Sequence, residues 1–228
     1  MTRVLITGAS RGIGRATALA CAARGAELGL LGHASTDQTE VVNACLACGA
    51  KRVLELPADA ANAEQLQQAA AEFLSVLGAP HAVIHNAGIA GRTSVEATTL
   101  TSWNEHLSVN LTAPFVLSRA LLPAMRAQKS GRFVFVGSIS STLGTAKLSA
   151  YCATKWGIVG FMKSLAEELT GSGLMACAVL PGSVDTRMLE GSGFPPRMNA
   201  EAVAQTLLHY AFDAPIAHNG ASVEMFGV

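Results

Sequence analysis

Thr7-Gly8-Ala9-Ser10-Arg11-Gly12-Ile13-Gly14 follows the short apolar run Val4-Leu5-Ile6 and opens a helical-looking stretch that extends to Arg24. A glycine-rich turn between a strand and a helix lets the backbone reverse tightly and approach a ligand. The free N–H groups and positive dipole end of the helix favour a phosphate there. In this position Gly8, Ser10, Arg11, Gly12, Ile13 and Gly14 form a candidate cradle for a dinucleotide pyrophosphate, with a plain tight turn as the alternative.

Outward from this turn, short apolar runs alternate with longer helical stretches. Strands are expected at Val4-Ile6, Leu28-Leu31, Arg52-Leu56, Ala82-His85, Arg132-Gly137, Leu174-Leu180 and Ser222-Phe226. Helices are expected at Gly12-Arg24, Thr36-Ala47, Asn62-Leu77, Leu100-Ala127 with a break near Ala113-Pro114, Ser149-Thr170 and Ala200-Phe212. This alternation predicts an α/β fold: a single-domain, Rossmann-type doubly wound sheet of about seven mostly parallel strands with helices on both faces, spanning 1–228. Gly182-Met198 interrupts the pattern with three glycines and two prolines among Met188, Leu189 and Phe194. Just past the end of a strand, residues 183–198 suit a substrate flap; an ordinary surface loop is the alternative.

The 228 residues carry 16 Lys+Arg against 16 Asp+Glu, and half are apolar. Balanced charge and high hydrophobicity argue against disorder and against a nucleic-acid surface. The start of the chain leaves no room for a signal peptide, and polar residues or prolines interrupt every apolar run before it reaches membrane-spanning length. A cytoplasmic protein with no membrane partner is expected. Five cysteines read as reduced thiols. Cys45 and Cys48 form a C-x-x-C on a helix that lacks a second ligand pair, and His81 and His85 flank a strand without a metal-binding pattern, so no metal is expected.

The second strand ends in Leu30-Leu31-Gly32-His33-Ala34-Ser35, without the carboxylate that commonly holds a dinucleotide's ribose hydroxyls. With Arg11 and His33 able to approach a 2′-phosphate, this favours NADP(H) over NAD(H); a neutral Gly32 and a merely solvated Arg11 would leave no preference. Tyr151 and Lys155 stand four apart, on one face of a helix. A fixed cation beside a phenol favours the phenolate and lowers its pKa. Ser138 after the fifth strand and Asn110 in the helix before it can converge with this pair at the carboxyl edge of the sheet.

Taken together, these residues resemble the short-chain dehydrogenase/reductase family over essentially the whole chain. The resemblance rests on the glycine loop, Asp59 after the third strand, Asn86-Ala87-Gly88 after the fourth, Asn110, Ser138, Tyr151/Lys155 and Pro181-Gly182 with Thr186. Within the family, Thr7-Gly14, Gly157-Ile158-Val159-Gly160-Phe161 and Lys163-Ser164-Leu165-Ala166 are most similar to 3-oxoacyl-carrier-protein reductases. The resemblance implies Tyr151 as proton donor, Ser138 as the group orienting the substrate oxygen, and Lys155 binding the nicotinamide ribose while lowering the Tyr151 pKa. It further implies a water on Asn110, Asp59 on the adenine, Asn86 beside the adenosine ribose, and Pro181, Gly182 and Thr186 framing the nicotinamide.

The expected activity is NADPH-dependent reduction of a ketone or 3-oxoacyl thioester, with Ile89, Leu143, Leu148, Met188 and Phe194 as apolar substrate contacts. A dehydrogenase of a sterol, sugar or small alcohol and a non-catalytic cofactor-binding protein are the alternatives. An acyl carrier protein would want basic residues near the entrance, for which Arg126, Lys129 and Arg132 are available, while Ser172 offers no cation. Trp103, Leu107, Leu111, Phe115, Trp156, Phe161 and Leu165 predict apolar helix faces that pair copies into a homodimer or homotetramer.

Overall fold

The computed structural model describes residues 2–33 and 35–227; Met1, Ala34 and Val228 lie outside the described residues. Among the described residues seven strands form one sheet: β1 (Arg3–Thr7), β2 (Glu27–Gly32), β3 (Arg52–Pro57), β4 (Ala82–His85), β5 (Gly131–Val136), β6 (Leu174–Pro181) and β7 (Ser222–Met225). Their order is β3-β2-β1-β4-β5-β6-β7, and each adjacent pair is parallel, where the sequence predicted mostly parallel. Chain order reverses direction between β1 and β4. At such a switch point the loops leaving the carboxyl ends diverge and open a crevice.

The strands are buried on both faces, and successive side chains go to opposite layers. Val4, Ile6, Leu28, Leu30, Ile84, Val134 and Cys177 pack toward α1 (Gly12–Ala23), α2 (Thr39–Ala47) and α7 (Ala200–Leu208). Leu5, Leu31, Val83, Phe133, Phe135 and Leu180 pack toward α3 (Ala63–Leu77), α5 (Ala113–Gln128) and α6 (Ser149–Leu169). Gly29 is required by this packing: a Cβ there would stand 2.4 Å from the Phe73 ring of α3, which lies directly on the β2 backbone. The second helix starts at Thr39, later than the expected Thr36, because the Asp37 carboxylate accepts from Thr39 N and stops the chain in a turn.

The expected break near Ala113-Pro114 is a wide π turn, Ser108–Thr112, between α4 (Leu100–Leu107) and α5. Pro114 has no N–H to give the carbonyl four residues back, that of Asn110, and the helix winds wide there without ending. Counted through the turn, Leu100–Gln128 is a 29-residue helical run long and apolar enough to cross a membrane, contrary to the expectation that polar interruptions disqualify every run. Its inner residues Val116, Leu117, Leu121 and Met125 belong to the core beneath the sheet.

The surplus apolar surface predicted for these helices is narrower than expected. Leu165 is buried, and Leu111 and Phe161 pack against the core, whereas Phe115 and Trp156 remain about half exposed.

Candidate active site

A cleft of about 900 Å³ runs along the carboxyl edge of the sheet across the β1/β4 switch. Gly8, Ser10, Arg11, Gly12 and Ile13 line it, as do His33, Asp59, Asn86, Ala87, Gly88, Ser138, Tyr151, Lys155, Pro181, Gly182 and Thr186. The apolar residues Ile89, Leu143, Leu148, Met188 and Phe194 line it as well. Of the predicted site residues only Gly14 and Asn110 are not on its wall, and both sit directly behind it.

The glycine loop owes its shape to positions where a side chain has no room. Gly8 and Gly12 have φ of +67° and +53°, and a Cβ on Gly14 would stand 2.0 Å from the Gly8 carbonyl. Behind the loop, Asn86 Nδ2 donates to the carbonyls of Thr7 and Gly8 at 3.0 and 3.1 Å, and the Thr7 hydroxyl accepts from Asn86 N and Ala87 N. The Asn86 amide nitrogen, expected beside a ribose, is therefore taken up in holding the loop. Asp59 Oδ1 accepts from Ala61 N, and the exposed His33 ring shares a hydrogen bond with Ser35.

At the other end of the cleft, the turn that follows β5 places Ser138. Its Oγ accepts from Ser140 N at 3.1 Å, which leaves the hydroxyl hydrogen to donate elsewhere. Tyr151 and Lys155 project from the start of α6, with the Lys155 ammonium 5.6 Å from the Tyr151 ring centroid and donating to the Val136 carbonyl at 2.7 Å. Asn110 does not point into the cleft. Its Nδ2 donates to the Ile89 carbonyl and the Thr154 hydroxyl, and its Oδ1 accepts from Ile89 N, so the π turn clamps the loop after β4 to α6. Any water it holds falls to Oδ1 or the backbone carbonyl, since both amide hydrogens are in use.

The electrostatics differ from the sequence expectation in one respect. Burial pushes the Tyr151 phenol above its usual range, the Ser138 hydroxyl beside it pulls it back in part, and Lys155 is not among the groups that lower it. The ammonium faces a carbonyl and the ring, in the same water-poor pocket as the phenol. Burial also brings Lys155 itself down from 10.5 to about 8.

Other placements correct the sequence reading. Arg126, Lys129 and Arg132, expected as a basic rim near the entrance, lie at the opposite end of this chain's sheet, around the start of β5. Arg126 donates to the Glu168 carbonyl, and Arg132 to the carbonyls of Tyr210 and Ala214. Proximity to β5 in sequence was misleading, because a strand of six residues carries the chain about 20 Å from one edge to the other. The cleft also exposes Arg92, Glu105, Asp185 and Arg187, which no motif marked. Cys45 is buried and Cys48 exposed, His85 bonds Ser118 and stacks on Phe135, and His81 accepts from Arg3 N.

The low Lys155 pKa gives a stability test. Between about pH 8 and 10.5 the unfolded chain holds a proton at this lysine that the folded chain has lost, so its burial penalty is complete below pH 8 and fades as pH rises. Lys155→Met, measured without cofactor, should melt several degrees above the wild type at pH 7, for a difference of about 3 kcal/mol at most. The gap should shrink toward pH 10; a gap independent of pH would contradict a buried, strained ammonium.

Residues 2–193 match the family described as short chain dehydrogenase. A 3-oxoacyl-[acyl-carrier-protein] reductase from Synechocystis sp. is 33% identical over 223 residues, covering 98% of this chain and 85% of that protein. Among solved structures, a putative NAD(P)-dependent gluconate 5-dehydrogenase from Beutenbergia cavernae with bound NADP superposes with a TM-score of 0.90 at 31% identity, covering 98% of this chain and 94% of its own. Levodione reductase gives 0.92 at 29% identity, covering 99% and 96%. With a matching family over most of its length and a relative this similar along nearly all of it, the chain belongs to the short-chain dehydrogenase/reductase family of oxidoreductases.

Proposed function

We propose that this protein is a cytoplasmic, NADPH-dependent carbonyl reductase acting on a ketone or 3-oxoacyl thioester. The observation that carries the reading is a cleft with a glycine cradle at one end and, at the other, the buried Tyr151 phenol beside the Ser138 hydroxyl. The cradle suits a dinucleotide on its own geometry: positive-φ glycines, and backbone so close behind Gly14 that no side chain fits. Gly8, Ser10, Arg11, Gly12 and Ile13 would hold the pyrophosphate, with Asp59 at the adenine, Lys155 at the nicotinamide ribose, and Pro181, Gly182 and Thr186 around the nicotinamide. When bound, NADPH supplies the hydride that adds to the carbonyl carbon.

The chain's own residues do the rest. Ser138 donates to the carbonyl oxygen and orients it, and Tyr151 passes its phenolic proton to that oxygen as the C=O π bond becomes a C–O single bond, leaving a phenolate. A raised phenol pKa suits this direction, because the acid keeps its proton at neutral pH. Lys155, within 5.6 Å of the ring centroid, stabilises the phenolate until solvent returns the proton. Residues 183–198 act as the substrate flap, with Met188 and Phe194 on its inner side.

Relatives named for 3-oxoacyl carrier-protein reduction support the thioester class, and one named for gluconate 5-dehydrogenase supports the oxidative direction on a sugar acid. A carrier protein at this cleft would meet Arg11, Arg92 and Arg187 as its cations, with Arg126, Lys129 and Arg132 on the far edge. The half-exposed Phe115 and Trp156 on α5 and α6 support association with a second copy. Sedimentation at micromolar concentration should give a dimer or tetramer, and a monomer would refute it.

Tyr151→Phe should keep NADPH binding, read by nucleotide fluorescence, while turnover of a ketone found by screening drops by on the order of a hundredfold or more. Turnover near the wild-type level would remove Tyr151 as the acid.

NADPH should bind at least tenfold more tightly than NADH, a difference of about 1.4 kcal/mol. Gly32→Asp alone requires the end of the buried Gln38 side chain, 2.9 Å from a Cβ at 32, to shift. Gly32→Asp with Gln38→Ala makes room, and should move the preference toward NADH; equal affinities in the wild type would overturn the assignment.

A further inference from the structure

One cation in the cleft, Arg92, has no part in holding the cofactor or in the proton transfer. Arg92 lies in the loop after β4, and the backbone on either side of it is fixed. Gly91 N donates to His106 Nε2 at 2.9 Å, and Thr93 N donates to the Lys147 carbonyl at 3.0 Å. His106 is in turn held through Nδ1 on the Ser102 carbonyl, so the loop is anchored to α4. The guanidinium lines the same cleft as Ser138 and Tyr151, and its charge is felt at the Tyr151 phenol, which it lowers.

Its hydrogen bonding is incomplete in a particular way. Arg92 Nη2 donates to the Met188 carbonyl of the flap at 3.3 Å, a long bond, while Nε is sealed from solvent with no partner among the described residues. Nε and Nη2 share one edge of the guanidinium fork, the edge that takes the two oxygens of a carboxylate in parallel. Met188 therefore offers one acceptor where two donors are presented. Among the described residues no carboxylate fills the place: Glu105 and Asp185 line the cleft, but the ion pairs are Arg15–Glu40 and Arg24–Asp213. A buried donor left unpaired costs on the order of 1–3 kcal/mol, which a ligand supplying the second acceptor recovers.

We propose that Arg92 is a specificity-determining residue that grips a carboxylate on the carbonyl substrate, so that the preferred substrate is an oxo acid anion, not a neutral ketone or thioester. The carboxylate replaces the Met188 carbonyl on the Nε/Nη2 edge, and filling the site thereby moves the flap. The inference rests on the reductase reading for its chemistry, but the anion site itself can be tested without turnover.

The test compares oxo acids, with the carboxylate two to five carbons from the ketone, against their methyl esters and a neutral 3-oxoacyl N-acetylcysteamine thioester. NADPH oxidation is followed for the wild type, Arg92→Gln and Arg92→Lys. The wild type should favour the best acid over its ester by at least tenfold in kcat/KM. Arg92→Gln should bring that ratio close to one through KM, and Arg92→Lys, which keeps charge without the fork, should fall between. A wild type that prefers the ester or thioester, or an unchanged ratio in Arg92→Gln, overturns the proposal and leaves the reductase reading standing. If no ketone turns over, the reductase reading fails, and calorimetry of the same oxo acids with the NADP⁺-loaded enzyme decides the anion site. Binding weakened at least tenfold by Arg92→Gln supports it, and no wild-type binding, or equal binding, overturns it.

Discussion

The structure depends on a set of hydrogen bonds at the point where the strand order reverses. The Thr7 hydroxyl at the end of β1 accepts from two backbone N–H groups after β4, while Asn86 returns two bonds to the carbonyls of Thr7 and Gly8. Diverging loops at this edge would otherwise leave buried backbone groups unpaired, at a cost comparable to the bonds themselves. Closing them through two side chains fixes the glycine loop on one side and the Ala87-Gly88-Ile89 loop on the other. The walls of the cleft follow from that.

The π turn Ser108–Thr112 serves the opposite wall in the same manner. Asn110 bridges Ile89 to Thr154, which lies one turn of α6 after Tyr151 and directly precedes Lys155, so the phenol and the ammonium are positioned relative to the loop after β4 as well as to β5. A regular helix through this stretch would give its carbonyl the N–H that Pro114 lacks. The deviation from ideal winding and the placement of Asn110 behind the site thus arise from one residue.

Strands and helices were legible because buried parallel strands give short apolar runs and the helices between them keep their own period, so every predicted strand was found. The cradle and the Tyr151/Lys155 pair were legible for a different reason: each needs a fixed residue type at a fixed spacing, Gly12 and Gly14 for room, Tyr151 and Lys155 for a shared face. What the sequence hid depends on the third dimension. Nothing in Arg126, Lys129 or Arg132 tells which edge of the sheet they reach. Nothing in Tyr151-x-x-x-Lys155 tells that burial raises the phenol while the ammonium does not lower it, and nothing in Gly32 reveals that Gln38, six residues on, fills the space beside it. Arg92 and Asp185 fall in loops, where neither periodicity nor motif marks a residue that later faces a ligand.

Burial acts on the two titrating groups in opposite senses, and this defines how the site can work. It holds the phenol protonated and eases the lysine toward neutrality, so the resting pair resists charge. In the proposed reduction, passing the phenolic proton to a carbonyl oxygen would create an anion in that water-poor pocket, and the response available within the chain would be for Lys155 to carry its full positive charge at that moment. On that reading the lysine would stabilise the phenolate more than the phenol that precedes it, which is the condition for accelerating a step and not merely binding its reactant. An ammonium aimed at the hydroxyl from the outset would favour the phenolate too early and weaken the acid. Its position over the ring, anchored to the Val136 carbonyl, keeps the cation close without discharging the proton in advance.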